Sequence, residues 1–104
     1  MPSLRTHPAA ESEAEAAALW YESRQAGLGQ DFLSELDRGL DLILESPATW
    51  PIWPGLPASL GIRRFLLPRF PFGIAYEAEE NGIIVVAVAH LARRPGYWKD
   101  RLAP

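Results

Sequence analysis

Cysteine is absent from these 104 residues, which excludes disulfides, thiol nucleophiles and cysteine-ligated zinc or iron–sulfur sites. There are two histidines, His7 and His90, far apart in the chain, so a zinc site would need carboxylates to complete it. Neither a metal nor a cofactor is expected. No apolar run approaches the roughly 20 residues of a membrane helix, and the opening MPSLRTHPAAESEAEAAA is polar and acidic, unlike a secretory signal. The expectation is a cytoplasmic protein without a membrane partner. The eight glycines are dispersed, with none in GxGxxG or GxxxxGKS spacing, so no phosphate-binding loop is present. GxSxG is missing too, and every serine lies at or before Ser59, away from His90, which leaves a serine triad without support.

What remains is an ordinary globular chain, with 48% apolar and 22% charged residues, of the length of a single domain. The net charge of −3 conceals an asymmetry. Residues 1–50 carry nine acids and three bases, whereas residues 51–104 carry seven bases and four acids. Six of those seven bases are arginine, the residue best suited to forked contact with phosphate or carboxylate. Either one face of an acidic body is cationic, or these arginines are solvated strand decoration.

A single domain over 1–104 is expected, in five segments. Residues 1–8 hold a short edge strand at Leu4–Thr6. Residues 9–46 form a helix hairpin. Its first helix, Ala9 to about Gln25, is alanine- and glutamate-rich, with Pro8 in the first turn and Glu11, Glu13 and Glu15 at the positive end of the helix dipole. Those glutamates read as a solvated face. Ala10, Ala14, Ala17, Ala18 and Tyr21 make a small-residue stripe, and Gly27 and Gly29 stop the helix. The second helix, about Gln30 to Glu45, presents Phe32, Leu33, Leu36, Leu40, Ile43 and Leu44 to a core, with Asp31, Glu35, Asp37, Arg38, Asp41 and Glu45 toward water. Residues 47–60 are a proline-punctuated loop whose Trp50 and Trp53 either lid the core or bind a partner. Residues 61–90 read as a three-stranded antiparallel sheet: Ile62–Leu67, Gly73–Ala78, a turn at Glu80-Asn81-Gly82, and Ile83–Ala89. The last strand is apolar at every position, so it is central and covered on both faces. The fold class is α+β, a helix hairpin packed on a small antiparallel sheet.

Residues 91–104 are a basic, aromatic tail. From His90 to Arg101 come one histidine, four cations (Arg93, Arg94, Lys99, Arg101) and two aromatics, Tyr97 and Trp98. Rings interleaved with guanidinium groups suit unpaired nucleic acid or a carboxylate-rich peptide. Alternatively Tyr97 and Trp98 fold back and seal the sheet.

The order of these motifs resembles the RelE/ParE superfamily of bacterial type II toxin–antitoxin toxins. The resemblance rests on Trp20-Tyr21-Glu22 closing the first helix, GLGQDFLSEL (Gly27–Leu36) opening the second and SPATWP (Ser46–Pro51) closing it. It continues through RRFLLPRFPFGIAYE and IIVVAVAHLARRPGYWKDR, and covers about Leu4 to Arg101. It implies a growth-inhibiting toxin silenced by a cognate antitoxin, with a heterotetramer as one arrangement of the two. In the RelE-like branch the target is ribosome-bound mRNA, which is cleaved; in the ParE-like branch it is DNA gyrase, with no nuclease activity. The nuclease branch implies roles for Arg63 or Arg64, Arg93, and His90 or Tyr97. However, the position after His90, where that branch tends to carry an arginine, is Leu91, and the chain is poor in lysine. The Trp20-Tyr21-Glu22 and HLARRPGYW motifs look ParE-like. A module that only binds antitoxin is the third reading. The expected toxic or catalytic surface is Arg63, Arg64, His90, Arg93 and Tyr97, supported by Arg69, Arg94, Lys99 and Arg101 converging on one sheet edge. Trp50, Trp53 and Trp98 are the expected antitoxin contacts.

Overall fold

Helix α1 (Pro8–Arg24) begins where proline costs no hydrogen bond, and His7 caps it by accepting the Ala9 amide proton on Nδ1 at 3.0 Å. The structure, a computed structural model, describes residues 3–102. Residues 1, 2, 103 and 104, which belong to the expected edge strand and tail, lie outside the described residues. Gly27, with φ of 89°, turns the chain into α2 (Leu28–Glu45). Gly29 is not a helix stop: it lies inside α2, where a Cβ would stand 2.5 Å from the Ala18 carbonyl oxygen. The two helices are in close contact there, with Ala18 and Glu22 opposite the glycine.

Four strands follow from both ends of the chain: β1 (Ser3–Thr6), β2 (Ile62–Leu66), β3 (Phe72–Glu79) and β4 (Gly82–His90). They form one sheet in the order β1-β4-β3-β2. The fold is α+β, but the sheet is mixed rather than antiparallel, because β1 pairs with β4 in parallel register from Ser3↔Gly82 to Thr6↔Val85. A strand at the start of the chain can lie parallel to the last one because the helix hairpin serves as a crossover. Within the sheet β3 lies between β2 and β4, so the basic residues of β2 do not stand beside the end of β4.

The apolar monotony of β4 has two causes. Ile83, Val85 and Val88 face the helices, joining Phe32, Leu36, Ile43, Phe65, Ile74 and Tyr76 in the larger core. Val86, Ala87 and Ala89 face outward into a second cluster with Trp53, Ile62 and Trp98. Between them the register slips, with Ala75 opposite Ala87 but Tyr76 opposite Val85, so Val86 is an extra residue in a bulge. Alternation therefore breaks in mid-strand as well as being hidden by burial on both faces.

The outer face is covered by the proline loop and the carboxy-terminal segment together. The loop lies along β2 through an Ile52↔Arg63 bridge and the Arg64 N–H donating to the Pro51 carbonyl at 2.9 Å. Tyr76 anchors its start, donating its hydroxyl to the Pro47 carbonyl at 2.6 Å, and burial pushes that phenol up to about 12. On the inner face Tyr21, Phe32, Phe70 and Phe72 join the hairpin to the β2–β3 turn, with ring centroids 4.7–6.2 Å apart.

Candidate functional site

The polar centre of the molecule is Glu13, one of the helix glutamates read as solvated. It stands on the shoulder of the small-residue stripe, one turn after Ala10 and one turn before Ala17, and so faces the edge of β4. Its Oε1 accepts the Val88 N–H at 3.0 Å and Arg101 Nη1 at 2.8 Å; its Oε2 accepts the Tyr97 hydroxyl at 2.5 Å and Arg101 Nη2 at 3.0 Å. Arg93 Nη1 lies 3.6 Å from Oε2, and its guanidinium stands 3.7 Å from the Tyr97 ring centroid. Arg101 also donates to the carbonyl of Val86, the bulged residue, at 3.1 Å. Edge groups of β4 that no strand takes are thus partly satisfied by side chains.

The electrostatics follow from this crowding. Burial alone would push the Glu13 carboxyl up, but the bonds from Arg101, Tyr97 and the Val88 amide outweigh it and hold the carboxyl below its ordinary value. Tyr97 moves far above the ordinary phenol value through burial and through donating to a carboxylate. The Arg101 guanidinium is held charged more firmly by the Glu13 bond. A phenol held in this way is a poor proton donor near neutrality, and its bond to Glu13 joins the tail to α1. Tyr97 therefore serves as a tether for the tail.

The expected cationic patch is divided. Arg63 donates to the Trp50 carbonyl at 2.5 Å, and Arg64 lies half-buried with its guanidinium 5.6 Å from the Trp53 ring. Both are on β2, two strands away from β4. Arg69 is tied through its own N–H and Nε to Glu35, at 2.8 and 2.9 Å, with Asp31 at 3.8 Å. Arg93 and Arg101 share Glu13. Arg94 and Lys99 are exposed on the tail, with no acidic partner among the described residues. His90 closes β4, its Nδ1 accepting the Ala92 N–H at 3.0 Å and its ring packed edge-on against Phe72. The seven cations do not converge because β3 separates β2 from β4 and three of them are drawn to carboxylates.

Of the three candidate tryptophans two are buried and one is half-buried. Trp53 and Trp98 are 5% and 1% exposed and meet edge to face at 4.5 Å, while Trp50 is half-buried against Phe65 at 4.7 Å. Exposed apolar side chains are instead Leu19, Trp20, Leu42, Leu66 and Leu91. A groove of about 560 Å³ runs between α1 and the end of β4, lined by Glu13, Ala16, Ala17, Trp20, Tyr21, Pro71, Phe72, Val88, His90 and Arg93.

Residues 4–95 match the model of a family described as the ParE toxin of the type II toxin–antitoxin system parDE. The chain belongs to the ParE toxin family. The fold agrees: a solved structure described as "Chromosomal ParDE TA system from P. aeruginosa" is similar with a TM-score of 0.74 at 16% sequence identity, covering 88% of this chain and 97% of that one. No curated protein matches in sequence.

In this ParE-family chain two functional or structural carboxylates escaped the sequence reading. Glu13 and Glu35 were both assigned to water; Glu35 is 3% exposed and orders the β2–β3 turn through Arg69. The available signal was phase: Glu35 shares its helix face with Phe32, Gly39 and Ile43, all buried. Among the described residues no helix is long and apolar enough to cross a membrane, and no three His, Cys, Asp or Glu side chains cluster as a metal site.

Proposed function

We propose that this chain inhibits bacterial growth from the cytoplasm by ParE-like interference with DNA gyrase, and that a cognate antitoxin neutralises it. Family membership supports the toxin reading. The observation that favours gyrase over RNA within it is the state of Tyr97, whose hydroxyl is committed to Glu13 at 2.5 Å. Metal-free RNA cleavage needs a base for the 2′-hydroxyl, an acid for the leaving oxygen and cations at the phosphorane. Here the late aromatic is bonded, the position after His90 is Leu91, and Arg93 and Arg101 already face a carboxylate.

The toxic surface we assign is the turn after β4, where Arg93, Arg94 and Lys99 are exposed. Expression without antitoxin should block growth with DNA damage and intact transcripts, and purified protein should inhibit supercoiling by gyrase in vitro. Transcript cleavage that is lost on Tyr97→Phe would overturn this in favour of the nuclease reading. Neither effect, with antitoxin binding retained, would leave a module that only binds its antitoxin.

A further inference from the structure

Strand β1 covers β4 only as far as Val85, and the chain then turns through His7 into α1. Beyond that point no strand among the described residues pairs with this edge of β4. Backbone groups alternate sides along a strand, so the Val88 amide, the Val88 carbonyl and the His90 amide all point to this edge. The opposite assignment fits β3, since the Leu91 amide on the alternate side donates to the Pro71 carbonyl at 2.9 Å. Glu13 already takes the Val88 amide at 3.0 Å. Among the described residues, what remains is one acceptor, on Val88, and one donor, on His90, bracketing Ala89. A single residue of a parallel strand uses that pair: it donates to the residue before its partner and accepts from the residue after.

The groove between α1 and β4 runs along the same edge on the helix side. Ala89 faces the outer cluster, so a residue paired beside it faces outward as well. The residues flanking it then point into the groove. The one before enters the apolar stretch formed by Ala17, Trp20, Phe72 and Val88; the one after meets His90 and Arg93. That end is cationic, because two guanidiniums, of Arg93 and Arg101, share the single negative charge of Glu13 and the Arg93 side chain is 54% exposed.

We propose that this open edge takes one residue of an extended partner segment in the parallel sense. An apolar side chain precedes that residue in the groove, and an acidic side chain follows it at His90 and Arg93. The segment reads apolar–any–acidic, and it belongs to the antitoxin; the inference rests on the antitoxin reading above. It is recognition by strand addition, in which the main chain supplies affinity and alternate side chains supply specificity.

The test uses the protein encoded by the reading frame adjacent to this chain's gene. Its complex with the full chain is examined by hydrogen exchange at the His90 amide and by titration against wild type, Ala16→Arg and Arg93→Gln. Ala16 is exposed at the groove, so the arginine fills the groove without entering the core. The expected result is at least tenfold slower exchange at His90 in the complex, at least tenfold weaker binding by Ala16→Arg, and a smaller loss for Arg93→Gln. Wild-type binding with both variants unaffected and His90 unprotected overturns the proposed edge and leaves the antitoxin reading intact. A segment found antiparallel at this edge, or lacking the acid, overturns it equally. If the adjacent product neither binds nor neutralises the wild-type chain, the antitoxin reading itself fails.

Discussion

The two faces of the sheet are held by different means. The inner face is covered by a helix whose apolar residues recur at helical spacing, and neighbouring layers fill it with many interchangeable aliphatic and aromatic groups. The outer face has no α-helix among the described residues. Two tryptophans, a short cluster of small strand residues and the ion pair between Glu13 and Arg101 close it, and those last two residues are 88 positions apart. The inner layer should therefore tolerate conservative change, whereas the outer layer depends on a few contacts with no substitutes. Loss of the outer layer would also free the tail that carries the proposed toxic surface.

The strongest way to break the outer layer is Trp98→Ala. It removes the largest fully buried side chain, and truncating such an aromatic costs about 3–5 kcal/mol. That is a large part of the roughly 5–15 kcal/mol that holds a domain of this size folded. A fall of that size in urea-unfolding free energy is expected, with loss of toxicity at equal expression. An unchanged midpoint would show that the outer cluster is not a second core.

Glu13→Gln comes next. Removing one member of a largely buried pair leaves Arg101 uncompensated, at about 3 kcal/mol. It carries a pH signature. The folded carboxyl lies below the ordinary carboxylate value of about 4.3, so its contribution is complete above that pH and is lost as pH falls through the folded value. Wild-type stability should fall more steeply than that of Glu13→Gln between about pH 5 and pH 3. Parallel curves would remove Glu13 from its central role.

For the inner face, Ile43→Val should cost only about 0.5–1.5 kcal/mol, because the site keeps its shape and its neighbours can close in. A loss as large as that from Trp98→Ala would erase the contrast between the faces. Smallest of all in stability is Arg94→Glu, an exposed change of about 0.5 kcal/mol or less. It should nonetheless reduce growth inhibition, measured without antitoxin at matched protein level. Arg64→Glu should behave differently, losing stability as well, because that guanidinium packs over Trp53.

Much of this is legible in the sequence. Periodicity from about Gln30 to Glu45 marks the buried stripe from Phe32 to Ile43, and the turn residues Glu80-Asn81-Gly82 mark the hairpin, which the structure closes with Glu79 opposite Gly82. The covered nature of β4 was readable from its composition, though the bulge at Val86 was not, since a slipped register leaves the same apolar letters. The candidate site fared less well. Its tail residues were identified by type, but their partners were misjudged, because a glutamate on a helix reads as solvated until the element beside it is known.

Spacing along the chain determines local structure because helices and strands are repeats of short-range geometry, with periods of 3.6 and 2 residues. It therefore delivered the helix pair, the three long strands, the turns and a family pattern running through them. Only the folded structure decided that β1 lies parallel to β4, that β3 separates the arginines of β2 from the tail, and that Glu13 is half-buried and Glu35 buried. Those outcomes depend on which distant segments meet. A pairing such as Glu13 with Arg101 is decided by the packing of whole elements, and no period in the chain records it.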